Sequence, residues 1–266
     1  MKIDFTKMSG AGNDFIFLGP EYDSLKDRAS GLARALCPRG TSVGADGLIV
    51  VEASAGGIVM HYFNSDGSEA SFCGNGARCL VLFCSVKGIA TGRMEFRSGS
   101  GAHTGEVTDR GVRVSMSAPR FLKDVVLREG GDTYRVTLVQ AGVPHAVIFA
   151  EGLADLDVDG IGGAIRYRDE FAPDGANVDF VEPAVGHYLI RTYERGVEQE
   201  TLACGSGCVA AAHALNLKHG AGDVIDLKVA SGDILSVELP DGPAGAANLV
   251  GPARVVYEGQ AEIKEI

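Results

Sequence analysis

Apolar residues alternate with polar ones, or run together briefly, along most of this chain, and glycine is never far away. That pattern predicts many short strands. In the first half they are Gly47–Val51, Ile58–Phe63, Met94–Arg97 and Val112–Met116. In the second they are Tyr134–Val139, Ala146–Phe149, Tyr188–Tyr193, Val224–Val229 and Ile234–Leu239. Helical patterns are few. One covers Leu25–Leu36 and is cut off by Pro38; two others run from about Gly76 to Lys87 and from about Gly207 to His219. Each of the last two ends in a basic residue followed by glycine, which suits the negative helix terminus and a left-handed cap. Between Ala77 and Lys87 only Arg78, Ser85 and Lys87 are strongly polar, so that helix is expected to be buried almost all round.

The text upstream of these two helices also repeats. Cys73-Gly74-Asn75-Gly76 precedes one and Cys204-Gly205-Ser206-Gly207 the other. Each turn follows an aromatic strand end, Tyr62-Phe63-Asn64 or Tyr193-Glu194-Arg195, and the two cysteines stand about half the chain apart. A fainter echo sets Asn13-Asp14-Phe15 against Asn177-Val178-Asp179-Phe180. These matches predict an α+β protein of two similar halves related by a pseudo-twofold axis. The expected division is 1–117, with a strand at about 254–266 returning to it, and 118–253. The boundary lies near Ser117-Ala118-Pro119, where proline suits a crossover as well as an ordinary loop.

Composition narrows the function. Glycine takes 37 of 266 positions, about twice the usual share. Lys and Arg number 24 against 35 Asp and Glu, a formal charge of −11, which disfavours a nucleic-acid partner. The longest weakly polar run, Leu202–Leu215, is too short to span a bilayer, so no membrane partner is expected. Met1-Lys2-Ile3-Asp4-Phe5 has no apolar leader, and six cysteines without export read as free thiols of a cytoplasmic protein.

A cysteine just before a helix faces unpaired backbone N–H groups, which are expected to lower its pKa and provide a thiolate near neutral pH. The glycines let a ligand approach and aim N–H groups at an anion. Two such turns facing each other would hold a carboxylate with a sulfur on either side of its α-carbon. One thiolate would remove the α-proton while the opposite thiol protonates the other face, inverting the centre without a covalent intermediate. Helix-end N–H groups would stabilise the enediolate, a single such donor contributing roughly 3–4 kcal/mol. The competing residue-level readings are a structural cysteine in each turn, or zinc. No Cys-x2-Cys knuckle occurs, so no metal is expected. Cys79, Cys84 and Cys208 fit as small core residues, and Cys37 as packing at a helix end.

The stretch Asn64–Glu69 leading to Cys73-Gly74-Asn75-Gly76-Ala77-Arg78-Cys79 closely resembles the first active-site signature of the diaminopimelate epimerases. Tyr193-Glu194-Arg195-Gly196 with Cys204-Gly205-Ser206-Gly207 resembles the second. Lys7–Phe15, Gly44-Ala45-Asp46-Gly47 and Gly251-Pro252-Ala253 followed by Val255–Gly259 match as well. The resemblance spans the chain. It implies a cofactor-independent epimerase interconverting LL- and meso-2,6-diaminopimelate, a homodimer, in which each domain is a barrel-like mixed β-sheet around a central helix and the site lies in the cleft between domains. It further implies that Cys73 and Cys204 are the acid/base pair, Cys204 accepting the proton in the LL to meso direction.

By the same resemblance Gly74, Asn75, Gly205 and Ser206 supply N–H groups to the reacting carboxylate. Asn13, Asn64 and Asn177 bind the substrate's charged ends, and each is equally well read as a turn residue. Arg195 clamps the distal carboxylate, or else faces solvent at a strand end. Glu194 and His145 assist near the thiols, binding the substrate ammonium, although His145 also fits as a packed residue after Pro144. The chain departs from the family where Val143-Pro144-His145 replaces Asn-Pro-His. One polar contact is then missing or supplied elsewhere, and losing a neutral hydrogen bond would cost about 0.5–1.5 kcal/mol. Gly47 stands where some members carry a Gln that contacts the ligand. The alternatives kept open are a racemase or epimerase of another amino acid, and a noncatalytic zinc or thiol redox module.

Overall fold

The computed structural model describes residues 1–240 and 246–263; positions 264–266 of the expected C-terminal strand lie outside them. The chain divides into two compact units, Met1–Val114 with Gly251–Ile266, and Ser115–Val250.

The first unit contains β1 (Lys2–Gly10), β2 (Asn13–Leu18), α1 (Ala29–Leu36), β3 (Gly47–Ser54), β4 (Gly57–Asn64) and the short β5 (Glu69–Ala70). It continues with α2 (Gly74–Val86), β6 (Met94–Ser98), β7 (Gly101–Thr108) and β8 (Gly111–Met116). The second holds β9 (Arg120–Glu129), β10 (Asp132–Ala141), β11 (Val143–Phe149), α3 (Val158–Arg166), β12 (Asn177–Ala184), β13 (His187–Glu194) and β14 (Gln199–Thr201). Then come α4 (Gly205–His219), β15 (Val224–Lys228), β16 (Ile234–Glu238) and β17 (Ala247–Gly251), after which β18 (Arg254–Glu262) returns to the first unit.

The strand order is the same in both units. The first reads β18-β1-β2-β3-β4-β6-β7-β8, with β5 on β4; the second reads β9-β10-β11-β12-β13-β15-β16-β17, with β14 on β13. The parallel pairs fall at the same places, β2–β3 and β4–β6 in one unit, β11–β12 and β13–β15 in the other. A mixed sheet therefore occurs twice. α2 packs against β1, β2, β4, β7 and β18, and α4 against β9, β10, β11, β12 and β16, so each sheet wraps a central helix. Among the described residues no ladder joins the two edge strands of either unit, so the wrapped sheets are open rather than closed barrels.

Both faces of the central strands are covered. Ile16, Leu18, Leu48 and Val50 pack with Leu32 and Leu36 of α1, while Phe17 stacks on Phe83 of α2 at 5.3 Å. The run Leu48-Ile49-Val50-Val51 is apolar throughout because neither face meets water. In the second unit Leu127, Val178, Phe180 and Ile165 form the corresponding layer with α3.

Three local expectations need correction. The pattern at Leu25–Leu36 is divided, with a 3-10 stretch at Pro20–Arg28 before α1. Both cysteine-led helices begin two residues earlier than expected, so Gly74, Asn75, Gly205 and Ser206 lie in their first turns. α3 was not expected at all, since Gly160, Gly162 and Gly163 weaken its helical signal. Its N-cap, Asp157, accepts from the Gly160 N–H at 2.9 Å.

Candidate active site

Cys73 is the N-cap residue of α2, and its sulfur accepts from the Gly76 N–H at 3.5 Å. The thiol reaches Asn13 Oδ1 at 3.6 Å, while Asn13 Nδ2 donates to Asp46 Oδ2 at 2.6 Å. Asp46 belongs to an ionic cluster. Arg39 spans it and Asp14, at 2.8 and 2.5 Å, and the buried Lys7 ammonium is 2.7 Å from Asp14. Burial opposes ionisation of Asp14, yet Arg39 and Lys7 hold its carboxyl down to about 2. Asn75 is buried, and its side chain accepts from the fully buried Arg78 at 2.8 Å. Asn64 sits apart, holding its own turn: it accepts from Tyr62 at 2.9 Å and donates to Ser68 at 3.0 Å.

The second unit brings more of the expected residues together. Cys204 is the N-cap of α4 and is buried, with its sulfur 3.4 Å from Ser206 Oγ. Ser206 Oγ is 3.0 Å from His145 Nε2, and His145 Nδ1 is 2.8 Å from Asp179 Oδ2. Asp179 Oδ1 accepts from Thr192 at 2.8 Å. Neither His145 nor Asp179 is exposed to solvent at all. Asn177 Nδ2 approaches His145 Nε2 at 3.3 Å, and Asn177 Oδ1 accepts from the Arg195 backbone N–H at 2.6 Å. Thus Asn177 is engaged with protein on both ends.

Electrostatics here reverse one expectation. Burial pushes the Cys204 thiol well above its ordinary value, and the Glu194 and Asp179 carboxylates push it further; Ser206 and the Gly207 N–H only partly offset this. The helix terminus does not win, because the desolvation of a buried thiolate beside two acids outweighs a partial charge. Glu194 is itself raised by burial. Burial alone pushes the core thiol of Cys84 up to about 12, and Cys79 rises to the same value with burial as the largest cause. Among the described residues no group of three or more His, Cys, Asp or Glu side chains is placed to hold a metal, and no helix is long and apolar enough to cross a membrane.

The sequence profile described as diaminopimelate epimerase matches residues 5–122 and 137–256. Proteins named diaminopimelate epimerase are similar to the chain. The one from Chlorobaculum tepidum is 42% identical over 95% of this chain and 98% of its own length. That from Archaeoglobus fulgidus is 35% identical over 100% and 99%. This chain belongs to the diaminopimelate epimerase family. It is an isomerase, as that membership requires. Solved structures agree on the fold alone: a phenazine biosynthesis protein of the PhzF family from Bacillus anthracis (TM-score 0.75, 14% identity, covering 99% of this chain and 100% of that one), and a hydroxyproline epimerase from Agrobacterium vitis (TM-score 0.72, 15% identity, 98% and 91%).

Within this epimerase-family chain, Asp46, Asp179 and Thr192 were not singled out from sequence. Asp46 sits in the matched Gly44–Gly47 stretch, and Asp179 in the faint echo. The echo itself was misaligned. Asn13 opens β2 whereas Asn177 opens β12, the counterpart of β3, so Asn177 corresponds to Gly47 and Asn13 to Val143.

Proposed function

We propose that the chain is a cofactor-independent epimerase that interconverts LL- and meso-2,6-diaminopimelate, with Cys73 and Cys204 as the paired acid and base. The observation that carries this reading is the repeated helix with a cysteine N-cap, in a chain that matches the family over nearly its whole length. One thiolate takes the α-proton and the other thiol returns one to the opposite face. The N–H groups at Gly74, Asn75, Gly205 and Ser206 lie in the first turns of their helices, where backbone donors face the helix start and suit the developing enediolate. The Arg195 guanidinium is half-buried and makes no hydrogen bond to the described residues, which leaves it available to the distal carboxylate. Burial opposes the charge on Glu194, and a substrate ammonium would stabilise that charge and offset the part that Glu194 adds to the burial of Cys204. Asn13 and Asn64 orient the charged ends. The family resemblance also supports a homodimer in the cytoplasm, the former tested by sedimentation.

Incubation with LL-diaminopimelate in D2O is expected to place deuterium at one Cα and to form the meso isomer. Exchange with a different amino acid but not with diaminopimelate would overturn the substrate. Absence of exchange with any amino acid, together with stoichiometric bound zinc, would point to the noncatalytic alternative.

A further inference from the structure

A single register offset relates the two units. It sets Phe15 against His145, Gly47 against Asn177 and Ile49 against Asp179, each pair occupying the same place in its ladder. By that offset the polar residues beside Cys73 are replaced beside Cys204. Val143 stands in the place of Asn13, Pro144 in that of Asp14, Ala176 in that of Asp46 and Leu138 in that of Lys7. In the first unit these four residues and Arg39 form one connected polar group. The second cysteine turn has kept none of the four.

The hydrogen bonds of this group have a fixed direction. Asp46 Oδ2 accepts from the Asp14 N–H at 3.1 Å. A carboxylate oxygen has nothing to donate, so the Asn13 atom 2.6 Å from it is the amide nitrogen. The Asn13 oxygen then faces the Cys73 sulfur at 3.6 Å and can only accept, which makes the thiol the donor. The amide can turn its N–H groups to the sulfur only by setting its oxygen against Asp46. Asp46 is held in turn. Its N–H donates to Asp14 Oδ1 at 3.1 Å, and its Oδ1 receives Arg39 at 2.8 Å. Arg39 also grips both oxygens of Asp14, at 3.1 and 2.5 Å, and Lys7 reaches Asp14 at 2.7 Å. With the Asp14 carboxyl held down to about 2, this clamp stays charged through the neutral range.

We propose that Asp46 is a positioning residue for the first thiol: it fixes the Asn13 amide with its oxygen on Cys73, and so holds Cys73 in the protonated form that donates to substrate. The catalytic consequence rests on the epimerase reading; the clamp itself rests on the hydrogen bonds alone. A bond accepted from the neutral form of an acid opposes its ionisation. Here it works against the Gly76 N–H, which reaches the same sulfur at 3.5 Å and favours the thiolate. The Asn13 oxygen keeps a second lone pair, which leaves room for a substrate donor. The charged and titratable groups around Cys73 within its unit are Asp46 and Asp14 beyond Asn13, Arg39 and Lys7 which offset them, and Arg78 and Cys79 on α2.

The test needs no substrate. Cys73 is half-buried, and its iodoacetamide labelling, located by peptide mass, is followed between about pH 6 and 10 in the full chain, with circular dichroism to confirm folding. Asn13→Ala removes no charge, so its shift reads the hydrogen bond directly. We expect labelling to move about 0.5–1 pH unit lower, the equivalent of one neutral hydrogen bond. An upward shift, which would mean that the amide supports the thiolate, or no shift at all would overturn the proposal. Asp46→Ala is also expected to move labelling lower, because the released amide can turn to the sulfur. Removing a negative charge acts in the same direction, so the pair is compared as a cycle. An effect carried by Asn13 shrinks clearly when Asp46→Ala is made in the Asn13→Ala chain. An equal shift in both backgrounds would show charge alone and overturn the positioning role. Should Asp46→Ala fail to fold, Asp46→Asn takes its place in the cycle, since an amide can present either atom to Asn13.

The catalytic consequence is read from the pH profile of kcat/KM for LL-diaminopimelate. Its basic limb, where the donor thiol loses its proton, is expected to fall by about 0.5–1 pH unit in Asp46→Ala. An unmoved limb would overturn the claim that the clamp holds the donor. The expected labelling shifts without any exchange in the parent would leave the clamp standing and sink the epimerase reading instead.

Discussion

The cysteine turns of the two units share a backbone and differ in what stands behind it. In each, a strand-end residue, a Cys N-cap and two glycines open a helix wrapped by a mixed sheet. In the first unit the support is apolar, Phe15 and Ile49, and polarity enters from the side through Asn13 and Asp46. In the second, Val143 replaces the asparagine and the polar groups lie underneath, as Asp179 and His145. The first thiol meets an amide oxygen, and the second meets a hydroxyl that is itself in contact with a buried imidazole. The duplication has kept the geometry that the proposed chemistry needs twice, and has changed the side chains that surround each sulfur.

Removing the shared element is expected to have the largest effect. Cys73→Ala and Cys204→Ala should each lower kcat by about 1,000-fold or more, measured as formation of the meso isomer, because each deletes one of two obligatory proton carriers. Near-normal turnover in either variant would sink the two-base scheme. Next comes a graft of the apolar support onto the second unit: His145→Phe, Asp179→Ile and Thr192→Val together. A buried histidine–carboxylate pair exchanged for apolar groups is often neutral or stabilising, by about 1–4 kcal/mol. The Thr192 change is needed because its hydroxyl would otherwise lose its acceptor. The melting temperature should hold or rise while kcat falls about 100-fold. A graft that keeps activity would show that the difference between the units is ornamental.

Much of this was legible in the sequence. The paired Cys-Gly-x-Gly turns announced both the duplication and the thiols, since a rare string in a fixed context is hard to produce otherwise. The duplication held more than the local patterns did. α3 is hidden by its own glycines, yet it occupies the place of α1, lying between β11 and β12 as α1 lies between β2 and β3. Asp179 entered only as part of the faint echo, and the ladder alone shows that alternation turns it inward to Gly207. The raised thiol of Cys204 was out of reach, because burial and the approach of Glu194 and Asp179 are set by chain segments far apart in sequence.

The glycines after the cysteines offer a smaller contrast. At Gly76 an added methyl meets Ile49 Cδ1 at 2.9 Å and Met60 Cε at 3.0 Å, both ends of flexible side chains. At Gly207 it meets a carboxylate already fixed by Thr192 and His145. Gly207→Ala should therefore cost about 1–3 kcal/mol by thermal or urea unfolding, and Gly76→Ala less. In the first unit Asp14 gives the acid limb of stability. Its folded pKa of about 2 lies below the ordinary 3.8, so its contribution is complete above 3.8 and vanishes as pH falls toward 2. Asp14→Asn should flatten unfolding free energy across that window.

The smallest expected effect comes from restoring the residue that the second unit lacks. Val143 is half-buried and occupies the register place of Asn13. In Val143→Asn an amide returns to that place, as in the family pattern. If it contacts only substrate, KM should fall by the equivalent of one neutral hydrogen bond, about 0.5–1.5 kcal/mol, with kcat unchanged. If instead the new amide engages the Cys204 thiol as Asn13 engages Cys73, it competes with Ser206 for the S–H proton and kcat falls while KM holds. The split between KM and kcat therefore reports whether the second thiol tolerates the amide contact that the first one makes.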